Sequence, residues 1–396
     1  MLTRRAEQIA ISKTMAFTEK ANALRSQGFS VMDYSVGEPD FDTPEHIRQA
    51  AKVALDEGHT RYTAVAGILP LRQAISQKLK RENDLDYPPE QICVGTGAKQ
   101  PLFNVIFAIC QEDDEVLLPT PGWVSYEEMV KLAGATPVFV PTLPEQDFEL
   151  SLEAVERAIT PHTKAILINT PNNPTGAVYS ERVLRQLAAL AARHGFYIIS
   201  DEVYEKLVYD AAKHISVGAV AGEAKSLCIT VNGFSKAYAM TGWRIGYVAA
   251  APEIIAAVKS IQSHTTSSCC SISQYAALEA YTGPQDSIQR MRKAFGERRN
   301  YLVKRIAGMP LLHCNSAPGA FYLMLDVSAV LGKRYQGTAI TAAADLAELL
   351  LAYAHVCMVT GEAFHAAGYL RLCYAVSMTD LKEGMDRIER FLAELE

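Results

Sequence analysis

Short runs of apolar and β-branched residues alternate along the chain with longer stretches whose apolar residues recur at helical spacing, a pattern that predicts an α/β fold. "KAILIN", ending at Asn169, reads as a buried strand, and the Pro and Gly residues of "TPNNPTG" stop any regular element after it. "SERVLRQLAALAARHG" predicts an amphipathic helix with Ser180 as its N-cap and Gly195 just past its last turn. "FYIIS" is the next buried strand and delivers Asp201 at its carboxyl end. In "SLCITVN" the strand pattern ends at Asn232, and the chain then turns through Gly233 into Ser235 and Lys236. No fixed-period repeat or low-complexity linker interrupts the alternation.

In open, mostly parallel sheets, ligands bind in the crevice outside the carboxyl ends of the strands. Asn173, Asp201 and Lys236 are therefore expected to share one mouth. Lys236 sits among Phe234, Ala237, Tyr238, Ala239 and Met240, a setting that predicts burial. Burying a lone lysine costs several kcal/mol or drives its pKa down, so this one should be paired, neutral or covalently used. A lysine, a strand-terminal carboxylate and an amide are what an aldehyde-bearing pyridine ring needs: the amine bonds the aldehyde, and the carboxylate keeps the ring nitrogen protonated. Ser235 and Arg244 suit a phosphate ester.

Composition narrows the alternatives. The 396 residues are 49% hydrophobic and 21% charged, which describes an ordinary globular chain large enough for two domains. A net charge of -6 supplies no basic field for nucleic acid or anionic lipid. The eight cysteines form no C-x-x-C pair, and no histidines cluster at zinc-ligand spacing, so neither a metal nor a disulfide framework is expected. With no apolar leader segment and no membrane-length run, the expected address is the cytoplasm.

Taken singly, each candidate has an ordinary structural explanation. Lys236 would snorkel at a surface, Asp201 would cap a helix, Trp123 would pack in a core, and Arg244 and Arg371 would pair with surface acids. "GTGAKQ" lacks both the P-loop spacing and the third glycine of a dinucleotide loop. The joint occurrence of these residues carries the inference.

The segments "GEPDFDTPEHI", "RYTAVAGILPLRQAI", "GAKQPLFN", "PGWVSYEEM", "PNNPTG", "SDEVYE", "NGFSKAYAMTGWRIGY", "PGAFY" and "YLRLCYAVS" resemble, in order, those of class I pyridoxal-phosphate aminotransferases of fold type I. The likeness is strongest to the bacterial-type and plastid-type aspartate aminotransferases, a branch that includes aspartate/prephenate enzymes. It implies a homodimer with shared active sites that moves amino groups between amino acids and 2-oxo acids, aspartate and 2-oxoglutarate foremost, in two half-reactions with ping-pong kinetics. A broader aromatic or alanine specificity, or a lyase reaction on the same cofactor, are the alternatives. The implied architecture is a large domain over residues 44–284 with a mainly parallel seven-stranded sheet, and a small α/β domain over 285–396 joined by the arm 1–43.

The resemblance also implies residue roles. Lys236 matches the lysine that forms the Schiff base with pyridoxal 5'-phosphate and moves the substrate proton, Asp201 the partner of the ring nitrogen, and Tyr204 and Asn173 the partners of the ring hydroxyl. Trp123 matches the aromatic residue stacked on the ring. Ser235, Arg244 and the backbone of Gly97, Ala98 and Lys99 match the phosphate site, with Tyr62 reaching the phosphate from a partner subunit. Arg371 and Gly37 match the contacts to the substrate α-carboxylate, where Trp123 and Asn173 also border the substrate. Lys99 and Thr14 match contacts to the distal carboxylate of acidic substrates. Thr360 and Pro101 depart from the branch's pattern, and Cys269, Cys270 and His365 have no expected role.

Overall fold

The computed structural model describes Glu7, Ile9 and residues 13–396, with residues 13–16 described by backbone alone. Its central sheet has seven strands: β1 (Ile92–Thr96), β2 (Glu115–Thr120), β3 (Thr136–Pro141), β4 (Thr163–Asn169), β5 (Tyr197–Asp201), β6 (Cys228–Gly233) and β7 (Ile245–Ala249). They lie in the order β1-β7-β6-β5-β4-β2-β3, and only β7 runs against its neighbours. Strand alternation sends Leu117, Ile166, Ile168 and Ile198 to one face and Val116, Leu118, Leu167 and Ile199 to the other. Both faces are apolar because both are covered. Helix α1 (Lys99–Ile109) packs on the second face and α2 (Glu181–His194) on the first.

The ends of α2 follow from its sequence. Ser180 Oγ accepts the Val183 N–H at 3.4 Å, and Gly195 takes the left-handed conformation (φ 75°) that stops the helix. Strand β6 runs one residue past the expected end at Asn232. Gly233 pairs with Gly246, and a Cβ there would stand 3.2 Å from the Gly246 Cα, so glycine lets the two backbones approach.

A second, antiparallel sheet combines β8 (His313–Cys314), β9 (Tyr322–Asp326), β10 (Val359–Thr360) and β11 (Tyr369–Cys373) in the order β10-β11-β9-β8. Its core takes Phe295 and Leu302 from α3 (Asp286–Ala307) and Ile388 and Phe391 from α4 (Met378–Ala393), and it extends to Tyr204. Early residues join this part of the molecule, since Met32–Asp33 pairs in parallel with Val356–Cys357.

The departures from the family pattern have simple physical settings. Pro101 is the third residue of α1, where its missing N–H would have had no helical acceptor. Thr360 ends β10 opposite Leu370, one residue from the Val359–Arg371 pair. His365 Nε2 lies 2.9 Å from Glu127 and its ring 4.0 Å from Phe139, so it ties the segment after β10 to the helix Ser125–Leu132. Cys269 is buried and Cys270 exposed, and neither borders the site below.

One cluster escaped the sequence because its members meet only through the fold. Glu202, Glu205 and His214 bring ligand atoms within 4.8 Å of one another. Lys78, itself fully buried, pairs with Glu205, and Ser200 and Ser216 donate to Glu202 at 2.9 and 2.5 Å. The protein thus supplies its own cation and donors there. Among the described residues no helix is long and apolar enough to cross a membrane.

Candidate active site

Strands β4, β5 and β6 end at a cavity of about 410 Å³. Asn169, the last residue of β4, accepts the Asn173 N–H at 2.8 Å through Oδ1 and donates to the Asp201 carbonyl at 2.9 Å through Nδ2. One side chain therefore ties the "PNNPTG" loop to the next strand end. Asp201 is buried there, and its Oδ2 accepts the Tyr126 hydroxyl at 2.8 Å while Oδ1 accepts the Val203 N–H at 3.3 Å. Burial pushes its carboxyl up to about 6, with the two hydrogen bonds holding against a further rise.

Beyond β6, Ser235 and Lys236 border the same cavity. Lys236 is half-buried, and its Nζ donates to the Gly37 carbonyl at 2.5 Å. Desolvation lowers its pKa to about 8. Only the neutral amine attacks an aldehyde. The rate at which apoprotein takes up pyridoxal phosphate is therefore expected to rise with pH through about 8 and then level off, as followed by stopped-flow absorbance. A rise continuing towards about 10.4, the value of an unperturbed lysine, would contradict the desolvated setting.

Positive groups gather at another part of the cavity. Ala98 caps α1 and Lys99 begins it, so first-turn N–H groups without helical acceptors face an end that favours anions. Arg244 donates to the Thr241 carbonyl at 2.9 Å, and a Cβ on Gly97 (φ 68°) would collide with its guanidinium. Lys99 Nζ stands 4.6 Å from the centre of the Trp123 ring and 3.4 Å from Ser125 Oγ. Burial first, then the Arg244 charge, lowers its pKa.

Arg371 comes from β11 in the second sheet. Nη1 donates to Asn173 Oδ1 at 3.1 Å and Nη2 to the Ser35 carbonyl at 2.6 Å. The guanidinium lies between two rings, 4.7 Å from the centre of Tyr322 and 5.0 Å from that of Phe364. Its Nε is buried with no partner among the described residues.

The structure thus brings Gly37, Ala98, Lys99, Trp123, Asn173, Asp201, Tyr204, Ser235, Lys236, Arg244 and Arg371 to one cavity. Gly97 stands just behind it against Arg244. Tyr62 stands apart, 92% exposed. The Thr14 side chain lies outside the described residues. Sequence reasoning gave no role to Tyr126, which holds Asp201, to Tyr322, whose hydroxyl meets that of Tyr204 at 2.9 Å, or to Ser35, which acts through its carbonyl. Tyr126 and Tyr322 stood inside the quoted "PGWVSYEEM" and "PGAFY", whereas a carbonyl leaves no mark on the residue that carries it.

The donor set fits pyridoxal 5'-phosphate. N–H groups and cations suit the phosphate, a buried carboxylate the ring nitrogen, and an amine the aldehyde, while the Arg371 guanidinium remains for a carboxylate. Fold and donors together define a pyridoxal-phosphate-dependent enzyme of fold type I. The chain belongs to the aminotransferase class I and II family, whose sequence profile matches residues 30–388. It is 42% identical to the aspartate aminotransferase of Bacillus sp. strain YM-2 over 99% of both chains. It is 45% identical to a probable aspartate/prephenate aminotransferase of Aquifex aeolicus over 100% of this chain and 99% of that one. The solved structure of Thermus thermophilus aspartate aminotransferase with maleate superposes with a TM-score of 0.93 at 44% identity, covering 99% of each chain.

Proposed function

We propose that this aminotransferase exchanges amino groups between aspartate and 2-oxoglutarate by a ping-pong mechanism. The observation that carries the reading is the pair of separate cations bordering the cavity beside Arg244: Arg371, fixed between two rings, and Lys99, held over Trp123. Two such cations suit a dicarboxylic substrate. The aspartate named for the relatives and the maleate of the Thermus thermophilus structure, also a dicarboxylate, support it.

When bound, pyridoxal phosphate supplies an aldehyde that accepts the amino group and a ring that takes up the electron pair left as the Cα proton departs. Lys236 would hold it and carry the Cα proton. Asp201 would meet the ring nitrogen, Tyr204 and Asn173 the ring hydroxyl, and Trp123 the ring face. Ser235, Arg244 and the N–H groups of Gly97 to Lys99 would hold the phosphate. Arg371 and Gly37 would orient the α-carboxylate, and Lys99 the distal one. The exposure of Tyr62, away from its own chain's cavity, supports a homodimer in which it serves a partner's site. Eight unpaired cysteines support the cytoplasm. We further propose a large domain over 44–284 and a small one over 285–396 with the arm 1–43.

Steady-state kinetics over a panel of amino donors tests the substrate class. Aspartate and glutamate are expected to lead, and alanine or phenylalanine used about tenfold better than either would defeat it. The aspartate/prephenate name of the Aquifex aeolicus relative favours a second reading, so prephenate belongs among the acceptors.

A further inference from the structure

Tyr322 and Tyr204 are both buried, and their hydroxyls lie 2.9 Å apart. Tyr322 comes from β9 of the second sheet and Tyr204 from the turn after β5, so the contact joins the two halves of the site. The two rings cross at 81° with centres 5.8 Å apart, which brings the pair together at their polar ends. The opposite demand comes from Gly37, where a Cβ would overlap the Tyr322 hydroxyl. Tyr322 thus has a dedicated place for its oxygen, which phenylalanine would not need.

A tyrosine hydroxyl has one proton to give and lone pairs to receive. If Tyr204 gives its proton to the cofactor's ring oxygen, as proposed above, only Tyr322 can be the donor within the pair. We propose that Tyr322 is a positioning residue whose hydroxyl donates to Tyr204, fixing the direction of the Tyr204 O–H and strengthening it as a donor to the ring oxygen. Chains of hydrogen bonds polarise one another in this way. The Tyr322 ring has a separate task, since it forms one face of the Arg371 sandwich. Hydroxyl and ring can therefore be separated by one substitution.

Tyr322→Phe keeps the ring and removes the oxygen. Apoprotein, wild-type and variant, is saturated with pyridoxal phosphate, and the visible absorbance of the bound cofactor is titrated against pH. A weakened Tyr204 donor leaves more negative charge on the ring oxygen, which holds the proton next to it more tightly. The titration midpoint is expected to rise by about half a pH unit, a fraction of one hydrogen bond. KM for aspartate is expected to stay within about twofold, because the face beneath Arg371 remains. In a Tyr204→Phe background the same substitution is expected to add no shift. A midpoint unmoved by Tyr322→Phe, or moved equally in the Tyr204→Phe background, overturns the proposal. So does a KM raised about tenfold without a shift, which would assign the hydroxyl to substrate binding. Wild-type protein that took up no cofactor would overturn the placement this rests on, a failure visible before any variant is compared.

Discussion

Lys236→Ala is expected to lower kcat by at least about 10⁴-fold while the folded protein still binds pyridoxal phosphate, because one amine serves both as nucleophile and as proton carrier. Among the described residues the cavity has one other lysine, Lys99, and its amine is held over the Trp123 ring and against Ser125, at the end where Arg244 lies. It cannot stand in for Lys236 beneath the Gly37 carbonyl. The phosphate and ring contacts proposed for Ser235, Arg244 and Asp201 are untouched by the change, so cofactor affinity should survive. Turnover and cofactor content, measured on the same preparation, check both halves of the expectation. A variant that keeps wild-type turnover would remove Lys236 from the chemistry altogether.

How far the sequence foretold this site depends on what each residue contributes. Asp201 and Lys236 were legible because a strand pattern ending in a polar residue marks the mouth of an α/β sheet, and both border one cavity. The ends of α2 were legible because Ser180 and Gly195 act locally. Contacts between residues far apart in the chain were not. Tyr126 reaches Asp201 across 75 positions, Tyr322 reaches Tyr204 across 118, and Ser35 receives Arg371 across 336. Nothing local distinguishes these residues from packing aromatics or a loop serine. The buried Lys78–Glu205 pair was hidden for the same reason: a lysine within "AISQKLKREN" looks like a solvated helix residue until the fold sets a carboxylate against it.

Arg371→Lys is expected to lower kcat/KM for aspartate by about 10²–10³-fold, chiefly through KM, although the positive charge is retained. Nη1 donates to Asn173 and Nη2 to the Ser35 carbonyl, which leaves the second N–H of each terminal nitrogen for a carboxylate. A planar fork can serve those two acceptors and a carboxylate together, since its donors point along separate fixed directions. An ammonium carries its donors on one atom. It would have to give up Asn173 or the Ser35 carbonyl to meet the substrate, leaving a buried acceptor unsatisfied. The slot between Tyr322 and Phe364 also suits a flat cation and would hold a lysine loosely. Cofactor content should be retained in the variant, because no proposed phosphate or ring-nitrogen contact involves this residue. Steady-state kinetics on cofactor-saturated protein give the test, and a loss below about threefold would mean that geometry at this position is unimportant and that the α-carboxylate is bound elsewhere.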